Sequence, residues 1–351
     1  MGKTAQLNAA VLGASGYTGA EMLRLLAMHP DMTITAATAN SLAGRRLESV
    51  FPHLNGVFDG EMVRLEDADF SNVDIAFSCL PHGTSQDAIA ELPSNCRVVD
   101  LSADYRFRDA DLYASVYGRE HLNAEATRNA IYGLTEFARP SLKDADLVAC
   151  PGCYPTATLL CLLPVAAAGV ISKQNIIIDA KSGVSGAGRG LKEGNLFCEA
   201  AEGLHSYAVG THRHAPEIEQ ELATRFDADL TVTFTPHLVP MTRGELVTIY
   251  AELSAGETVE TVHAALSEQF KDEPFVRVRP LGDLPPDTRH VRGTNRCDIA
   301  VFKDRAEGRV IIIGAIDNLI KGSSGQALQN ANVMFGLDET KGLDFLTPLF
   351  P

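Results

Sequence analysis

A cysteine at a turn before an apolar helix is the residue of this chain best suited to be a nucleophile. The segment Cys150-Pro-Gly-Cys153-Tyr-Pro places Cys153 between a strand-like run, residues 145–149, and an apolar helical run. Unpaired N–H groups and the positive end of a helix dipole favour a thiolate there, lowering the thiol pKa from about 8.5 toward neutrality. We therefore interpret Cys153 as a candidate nucleophile; the alternative is a small buried structural cysteine.

Two histidines supply a candidate proton carrier. His212 and His214 stand directly before a helix predicted over 216–226, and a histidine titrates near neutral pH. Either one could instead be structural. Zinc binding with Cys150 and Cys153 is a further alternative, but the sequence offers no other clear ligand pair and we expect no metal. The Cys-x-x-Cys spacing also fits a dithiol redox site, although such a unit is short and needs no glycine fingerprint far upstream.

A glycine fingerprint opens the chain's first βα unit. The string Gly13-Ala-Ser-Gly16-Tyr-Thr-Gly19 follows a predicted strand and begins a predicted helix. Glycines at these positions permit a tight turn and the close approach of a pyrophosphate to the helix N-terminus. A purely structural turn is the alternative, and the position in the first βα unit favours a dinucleotide site.

The end of the second predicted strand indicates which dinucleotide binds. An NAD site usually has a carboxylate there for the ribose hydroxyl, whereas this strand ends Thr38-Ala-Asn-Ser41-Leu-Ala-Gly-Arg45-Arg46. Ser41, Arg45 and Arg46 could accept a 2′-phosphate, which favours NADP. The alternative is a solvated loop that happens to contain two arginines.

The combination of these features indicates a class of reaction. A nicotinamide cofactor with a nucleophilic cysteine fits chemistry between the acid and aldehyde levels, in which a thioester exchanges hydride. Arg106, after a strand end, and Arg189, at the end of a glycine-rich loop, could supply positive charge for an anionic ligand. Both could equally be ordinary surface arginines.

Hydrophobic patterns predict the elements that must position these residues. Short strands alternate with helices in the first part of the chain, which predicts a parallel sheet with crossover helices. From about Ile176 onward, longer strands with few helices predict a mostly antiparallel α+β domain. A final helix predicted over 324–335 is expected to pack back on the first domain.

Composition limits the remaining possibilities. The 351 residues suit two domains, and a formal charge of −15 without a basic run argues against nucleic acid. Seven irregularly spaced cysteines and an N-terminus without a signal-peptide pattern predict a reducing compartment, the cytoplasm. The most apolar stretch, residues 159–171, is shorter than the roughly 20 residues of a membrane span and is interrupted by Pro164, so no membrane span is expected.

A series of motifs, taken in order, resembles the N-acetyl-γ-glutamyl-phosphate reductase family over almost the whole chain. The motifs are Gly13-Ala-Ser-Gly-Tyr-Thr-Gly19, Leu80-Pro-His-Gly83, Asp100-Leu-Ser-Ala-Asp-Tyr-Arg106, Pro151-Gly-Cys-Tyr-Pro-Thr156, Ser182-Gly-Val-Ser-Gly-Ala-Gly-Arg189, His212-Arg-His-Ala-Pro-Glu217, Thr235-Pro-His-Leu-Val-Pro240 and Asp317-Asn-Leu-Ile-Lys-Gly322. The sequence departs from the family at Thr135, where a proline is usual. This change affects a loop and leaves the chemistry intact.

The resemblance implies NADPH-dependent reduction of N-acetyl-γ-glutamyl phosphate to N-acetylglutamate semialdehyde in arginine biosynthesis. Cys153 would attack the acyl phosphate and form a thioester that accepts hydride. His214 would carry the proton, while His212 is the less favoured candidate for that role and is assigned to substrate binding. Arg106 and Arg189 would bind the phosphate and carboxylate of the substrate.

The resemblance also implies a cofactor site and a domain plan. The residues assigned to NADP(H) are Gly13, Ser15, Gly16, Tyr17, Thr18, Gly19, Ser41, Arg45, Arg46, Pro81, Ser182, Gly183 and Asn318. The fold would be α/β: a Rossmann-type NADP-binding domain over 1–152, an α+β catalytic and oligomerisation domain over 153–317, and a segment over 318–351 returning to the first domain. A homo-oligomer, dimer or tetramer, is expected.

Three alternative functions remain open. A reductase of aspartyl phosphate shares the chemistry but would not be expected to carry this whole motif set. A reductase of carrier-linked aminoadipyl phosphate is closer in pattern, although an acidic carrier should need a basic docking face that a chain of charge −15 does not indicate. A non-catalytic redox sensor that binds NADP belongs to a different class, and turnover of NADPH with an acyl phosphate would distinguish it.

Overall fold

A computed structural model describes residues 6–344 and residue 348 of the chain. It divides into two compact units: residues 6–151 with residues 323–344 form the first, and residues 152–322 form the second. The boundaries therefore fall one residue before the first expected boundary and five residues after the second. Part of the segment expected over 318–351, namely 345–347 and 349–351, lies outside the described residues.

The first unit contains a parallel sheet with helical crossovers. Its strands are β1 (Leu7–Leu12), β2 (Met32–Ala37), β3 (Ile75–Ser78), β4 (Arg97–Asp100), β5 (Ile131–Tyr132) and β6 (Leu147–Ala149). Its helices up to this point are α1 (Tyr17–Leu26), α2 (Leu47–Val50), α3 (Ser85–Ala90), α4 (Ala110–Tyr117), α5 (Ala124–Asn129) and α6 (Thr135–Leu142). The buried apolar runs at residues 9–12 in β1 and 75–77 in β3 suit strands that are covered on both faces.

The strand order of this sheet creates a crevice at one edge. The order is β2-β1-β3-β4-β6-β5, and every pairing is parallel. From β1 the strand order runs outward in one direction to β2 and in the other direction to β3. Where the order reverses in this way, the loops after the two central strands diverge and leave a binding crevice at the carboxyl ends of those strands. The glycine turn follows β1, and the loop that contains Pro81 follows β3.

The second unit is built on a seven-stranded mixed sheet. Its strands are β7 (Ile177–Gly183), β8 (His205–Ser206), β9 (Thr233–Val239), β10 (Glu245–Glu252), β11 (Val276–Val278), β12 (Cys297–Lys303) and β13 (Arg309–Ile316). Its helices are α7 (Cys153–Ala167), α8 (Phe197–Ala200), α9 (His214–Phe226) and α10 (Val259–Phe270). The order is β11-β12-β13-β10-β7-β9-β8. Most pairings are antiparallel, with β7–β9 and β11–β12 parallel.

Helix α7 is the central helix of the second unit. Almost all of its residues are buried, including Pro164, which lies inside the helix and does not end it. The expected interruption of this apolar stretch at Pro164 is therefore wrong. A helix that is apolar on all sides belongs in a protein core when neighbouring elements cover it, and α9 and α10 pack against α7.

The last helix belongs to the first unit. Helix α11 (Gly325–Met334) is buried along its whole length, and Asn330 donates its amide to the carbonyl oxygen of Gly133 at 2.8 Å. Thr135, the residue that departs from the family pattern, donates its hydroxyl to Asn330 Oδ1 at 2.6 Å. A proline could not make that bond, so the change adds a tie between α6 and α11.

The predicted fold class, an α/β protein with a Rossmann-type domain and a mostly antiparallel second domain, is confirmed. Among the described residues, no helix combines the length and the apolar character needed to cross a bilayer.

Candidate active site

Cys153 is the first residue of α7, as its sequence context predicts. The N-cap is Gly152, which has extended backbone angles and offers no side-chain cap, and no acidic residue lies in the first turn. The helix dipole and the N–H groups of the first turn therefore act on the cysteine, and both favour a thiolate. Cys153 is half-buried.

A close approach by Gly322 fixes the position of Cys153. A Cβ added to Gly322 would lie 2.7 Å from the Cβ of Cys153. Only glycine allows the backbone to pass so near the cysteine. The motif that ends at Gly322 therefore helps to hold the nucleophile.

A second helix begins beside the nucleophile. His214 is the first residue of α9, and α9 packs against α7. In the first turn of α9, the fully buried Glu217 accepts a hydrogen bond from the N–H of Gly152 at 3.0 Å. This bond joins the turn that carries the nucleophile to the helix that carries the histidine. In the sequence, Glu217 stands out only as the last residue of a motif, and nothing there indicates this role.

The two histidines differ in their bonding. His212 Nδ1 accepts the backbone N–H of His214 at 3.1 Å, which leaves Nε2 to carry the proton in the neutral ring. Burial, with a smaller contribution from the charge of Arg213, lowers the pKa of His212 to about 4. His212 is therefore neutral at physiological pH, and it is less suited than His214 to be the acid and base of the reaction.

Aromatic side chains surround the histidine pair. The ring centroids of His212 and His214 are 4.7 Å apart. The ring centroid of Tyr154 lies 5.8 Å from that of His212 and 5.9 Å from that of His214. The Tyr154 hydroxyl donates to the carbonyl oxygen of His237 and receives a bond from the hydroxyl of Tyr207. Burial raises the pKa of both tyrosines, so their hydroxyls are neutral. Because Tyr154 directly follows Cys153 in the chain, these ring contacts bring the histidines close to the nucleophile.

A buried carboxyl, Glu245, also faces the nucleophile. It begins β10 and is fully buried. Burial raises the pKa of Glu245 to about 8, with the nearby thiol of Cys153 opposing the shift and Asp317 adding to it. None of the sequence motifs includes this residue. A signal was present, because Glu245 shares the inward register of the strand with Val247, Ile249 and Ala251, where a carboxylate is unexpected.

In the first unit, the glycine turn has the shape that a dinucleotide requires. Gly13 has φ +80°, and a Cβ on it would lie 2.7 Å from the carbonyl oxygen of Cys79 in the loop after β3. A Cβ on Gly19 would lie 2.4 Å from the carbonyl oxygen of Gly13. Gly16 is the N-cap of α1, without a side-chain cap. Ser15, Tyr17 and Thr18 lie in the same turn, which can present N–H groups to a phosphate.

The loop after β2 contains the residues assigned to the 2′-phosphate. Ser41, Arg45 and Arg46 are all exposed. Arg46 pairs with Glu48 and, at 2.9 Å, with Asp59. Two carboxylates thus compete for the guanidinium of Arg46, which makes Arg45 the better candidate to bind a phosphate.

The loop that contains Pro81 is held by a buried aspartate. Asp104, which is fully buried, accepts the N–H of Gly83 at 2.7 Å and the hydroxyl of Tyr113 at 2.9 Å. The side chains of Ser85 and Ser102 belong to the same network. These bonds fix the second loop of the crevice at the end of β3.

The predicted substrate arginines occupy different settings. Arg106 is buried and donates to the carbonyl oxygens of Cys150 and Leu101, at 2.8 and 3.0 Å. It therefore holds the strand end that leads to the nucleophile. Arg189 is exposed, in the loop after β7. Arg106 and Arg189 belong to different units, and substrate binding by either stays a prediction.

The remaining cofactor candidates lie in the second unit. Ser182 and Gly183 end β7, and a Cβ on Gly183 would lie 2.8 Å from the carbonyl oxygen of Met241. Asn318 accepts the N–H of Gly244 at 2.8 Å and donates to the hydroxyl of Ser185 at 3.0 Å. The amide of Asn318 thus orders the loop after β7, and contact with nicotinamide stays a prediction.

Comparison with known proteins places this site in a family. The family model described as "Semialdehyde dehydrogenase, NAD binding domain" matches residues 8–145, and "Semialdehyde dehydrogenase, dimerisation domain" matches residues 153–318. A probable N-acetyl-γ-glutamyl-phosphate reductase, chloroplastic, of Arabidopsis thaliana is 54% identical over 97% of this chain and 84% of its own length. The N-acetyl-γ-glutamyl-phosphate reductase of Rhodospirillum rubrum is 52% identical over 99% of each chain. The chain belongs to the N-acetyl-γ-glutamyl-phosphate reductase family.

A solved structure extends the comparison of the fold. Aspartate semialdehyde dehydrogenase II of Vibrio cholerae, in complex with ASA, has a TM-score of 0.70 over 94% of this chain and 98% of its own, at 17% identity. That level of identity supports the shared fold alone. Membership of the reductase family makes this chain an oxidoreductase of the semialdehyde dehydrogenase type with a nicotinamide cofactor, and the matched dimerisation domain indicates a homo-oligomer.

Proposed function

We propose that the chain reduces N-acetyl-γ-glutamyl phosphate to N-acetylglutamate 5-semialdehyde, with NADPH as reductant, in arginine biosynthesis. The observation that carries the proposal is the placement of Cys153 at the uncapped N-terminus of α7, joined through Gly152 and Glu217 to the helix that begins at His214. Relatives that are 54% and 52% identical over nearly the whole of this chain are named for this substrate.

The residues of the second unit divide the reaction between them. The Cys153 thiolate attacks the acyl carbon, the bond from that carbon to the phosphate oxygen breaks, and phosphate leaves. The resulting thioester carries the acyl group on sulfur. When bound, the nicotinamide cofactor supplies the hydride that reduces this thioester.

Proton transfer is assigned to His214. After reduction, the acyl oxygen carries developing negative charge, and His214 donates a proton to it. As the aldehyde forms, His214 takes that proton back and the carbon–sulfur bond breaks. Neutral His212, fixed by its bond to the backbone of His214, is suited to orient the substrate.

The choice of NADP over NAD is supported by the loop after β2. No carboxylate follows that strand at the position that would bind a ribose hydroxyl, and Arg45 is exposed there. We assign the glycine turn, Pro81, Ser182, Gly183 and Asn318 to the rest of the cofactor, and Arg106 and Arg189 to the substrate. We infer a homo-oligomer, dimer or tetramer.

We further infer a reducing compartment, the cytoplasm. All seven cysteines lie within the described residues, and none is disulfide-bonded. A thiolate nucleophile also has to stay reduced in order to work.

The test is the reverse assay with purified protein, phosphate and NADP⁺. We expect N-acetylglutamate semialdehyde to be oxidised, and aspartate and aminoadipate semialdehydes to react far more slowly. Faster oxidation of either competitor would overturn the substrate assignment. Binding of NADP⁺ with no turnover of any of the three would identify a cofactor sensor instead.

A further inference from the structure

The carboxyl of Glu245 lies in a setting that ordinary side-chain carboxyls avoid. It starts β10 in the centre of the sheet, paired in register with Ser182 of β7 and Ile316 of β13. No part of Glu245 is exposed. Neither of its oxygens accepts a hydrogen bond of ordinary geometry from any nitrogen, oxygen or sulfur donor in the described part of the chain. A buried charge without such donors is costly, so this carboxyl has a reason to keep a proton.

The thiol of Cys153 faces Glu245 and favours the charged form of its carboxyl. Helix α7 packs on β10, and a Cβ on Gly322 would lie 2.7 Å from the Cβ of Cys153 and 3.1 Å from Cδ1 of Ile316, the residue of β13 that pairs with Glu245. The other titratable groups that face it are Asp317 and the hydroxyls of Tyr154 and Tyr207. Asp317 is itself held by Arg243 at 3.4 Å and by the N–H of Gly293 at 2.7 Å. The hydroxyl of Tyr154 donates to the carbonyl oxygen of His237, and that of Tyr207 donates to Tyr154. Among the titratable groups that face Glu245 in the described residues, Cys153 is therefore the one suited to exchange a proton with it.

We propose that Glu245 is the proton partner of Cys153: the pair holds one proton between the sulfur and the carboxyl oxygen, Glu245 carries it while the sulfur attacks, and Glu245 returns it when the sulfur is expelled. The proposal rests on the function proposed above and adds a residue to its mechanism.

The two partners differ in where they best carry charge. The sulfur lies at the N-terminus of α7, where the helix dipole favours an anion. The carboxyl lies inside the sheet, where burial favours the neutral form. A single negative charge is therefore best placed on the sulfur, with the proton on Glu245. The neutral acid then donates a hydrogen bond to the thiolate.

Protons and bonds balance through the cycle. In the attack, the proton is already on Glu245, the thiolate sulfur bonds to the acyl carbon, and the bond from that carbon to the phosphate oxygen breaks. In the collapse, the carbon–sulfur bond breaks, and the sulfur, leaving with the electron pair, again shares the proton of Glu245. The net proton consumed in the reaction comes from solution and ends on the phosphate. Because Glu245 exchanges the proton of the sulfur, His214 can exchange a proton with the acyl oxygen of the substrate.

The test measures the alkylation of Cys153 by iodoacetamide as a function of pH, with each labelled peptide resolved by mass spectrometry. The variants are E245Q, which can donate a hydrogen bond but cannot carry the shared proton, and E245L, which can do neither. E252Q, at the far end of the same strand, is the matched control. The exposed Cys198 serves as an internal reference thiol.

We expect the rate at Cys153 in the native protein to rise in two steps with pH, because the two sites titrate as a coupled pair. E245Q and E245L should each show one step. At pH 7, loss of the hydrogen bond should slow E245L about ten- to a hundredfold, with E245Q between it and the native protein. E252Q and the label on Cys198 should not change. A native profile in both Glu245 variants, or faster alkylation in E245L, would overturn the proposal.

A second measurement does not depend on the folding of E245L. Infrared spectroscopy of the native protein at pH 7 should show a protonated carboxyl band that disappears in E245Q and titrates in a single step in C153S. Absence of the band from the native protein would also overturn the proposal. Both experiments omit acyl phosphate and NADPH, so their result is separate from any failure of the proposed substrate.

Discussion

The N-termini of α1 and α7 use the same backbone arrangement for opposite purposes. Each helix has a glycine N-cap in an extended conformation, Gly16 or Gly152, without a side-chain cap and without an acidic residue in its first turn. At α1 the surrounding glycines leave space, which we assign to a phosphate of the cofactor. At α7 the protein's own side chains lie at the helix end, with Cys153 in the first turn and Glu217 accepting the N–H of Gly152. A helix N-terminus thus binds a ligand or activates a nucleophile according to the side chains around it.

Removing the thiol of Cys153 should have the largest effect on activity. It should show that the N-terminus of α7 serves catalysis and that of α1 serves cofactor binding. Cys153→Ala is expected to abolish turnover and to leave NADPH affinity unchanged, because the nucleophile and the glycine turn belong to different units. Steady-state kinetics and a fluorescence titration with NADPH would check this. Cys150→Ala, which changes a buried thiol near the carbonyl oxygen of Ser323, is the control and should keep most activity. Its complete loss of activity would support a dithiol mechanism instead.

The next largest effect concerns the proton carrier beside α7. His214→Asn should slow turnover by about 10² to 10⁴ without preventing folding or NADPH binding. His212→Asn should raise the KM of the acyl phosphate more than it lowers kcat. Because the pKa of His212 is lowered to about 4, this ring stays neutral from pH 5 upward and contributes no limb to the profile of kcat/KM above that pH. A limb that survives in His214→Asn and vanishes in His212→Asn would reverse the two assignments.

Filling the space at the N-terminus of α1 should weaken binding of the cofactor and should not change the reactivity of Cys153. In Gly19→Ala the new Cβ would meet the carbonyl oxygen of Gly13 at 2.4 Å, which must displace the turn. We expect the KM for NADPH to rise by about tenfold or more, equivalent to about 1.4 kcal/mol of binding, with the alkylation rate of Cys153 unchanged. Gly194→Ala, where an added Cβ meets nothing within 4 Å, is the control. An equal KM in both variants would show that the turn does not hold the phosphate.

The smallest effect on cofactor binding should distinguish the two arginines that we assign to the 2′-phosphate. Arg45→Ala is expected to raise the KM for NADPH by roughly tenfold and barely to change that for NADH. Arg46→Ala should do less, because Glu48 and Asp59 already pair with that guanidinium. Comparison of the two coenzymes with each variant checks this. A native protein that prefers NADH would contradict the assignment of both residues.

The sequence predicts the elements that follow strong local signals. Strand β1 coincides with its apolar run, and Cys153 begins a helix as the Gly-Cys-Tyr-Pro turn indicates. Boundaries shift by a few residues where the signal is graded: α9 starts at His214, two residues before the predicted start. That shift matters, because it places the histidine in the first turn of the helix.

Features that depend on distant partners could not be predicted from local patterns. Glu217 binds an N–H that lies 65 positions earlier in the chain, and nothing in the spacing reports that pairing. Glu245 reaches Cys153 only because α7 packs on the sheet. The expected interruption at Pro164 is wrong because local propensity treats proline as a helix breaker. In a fully buried helix, the favourable packing compensates for the hydrogen bond that the missing N–H of proline cannot form.

The return of α11 to the first unit determines when that unit can be completed during synthesis. Asn330 bonds to Gly133, 197 positions earlier, and the whole helix is buried. On the ribosome, the residues of the second unit emerge before the segment that completes the first sheet layer. A nascent chain therefore exposes the apolar surface that α11 covers until α11 has been synthesised, and a chain that stops before α11 presents that surface to chaperones and proteases.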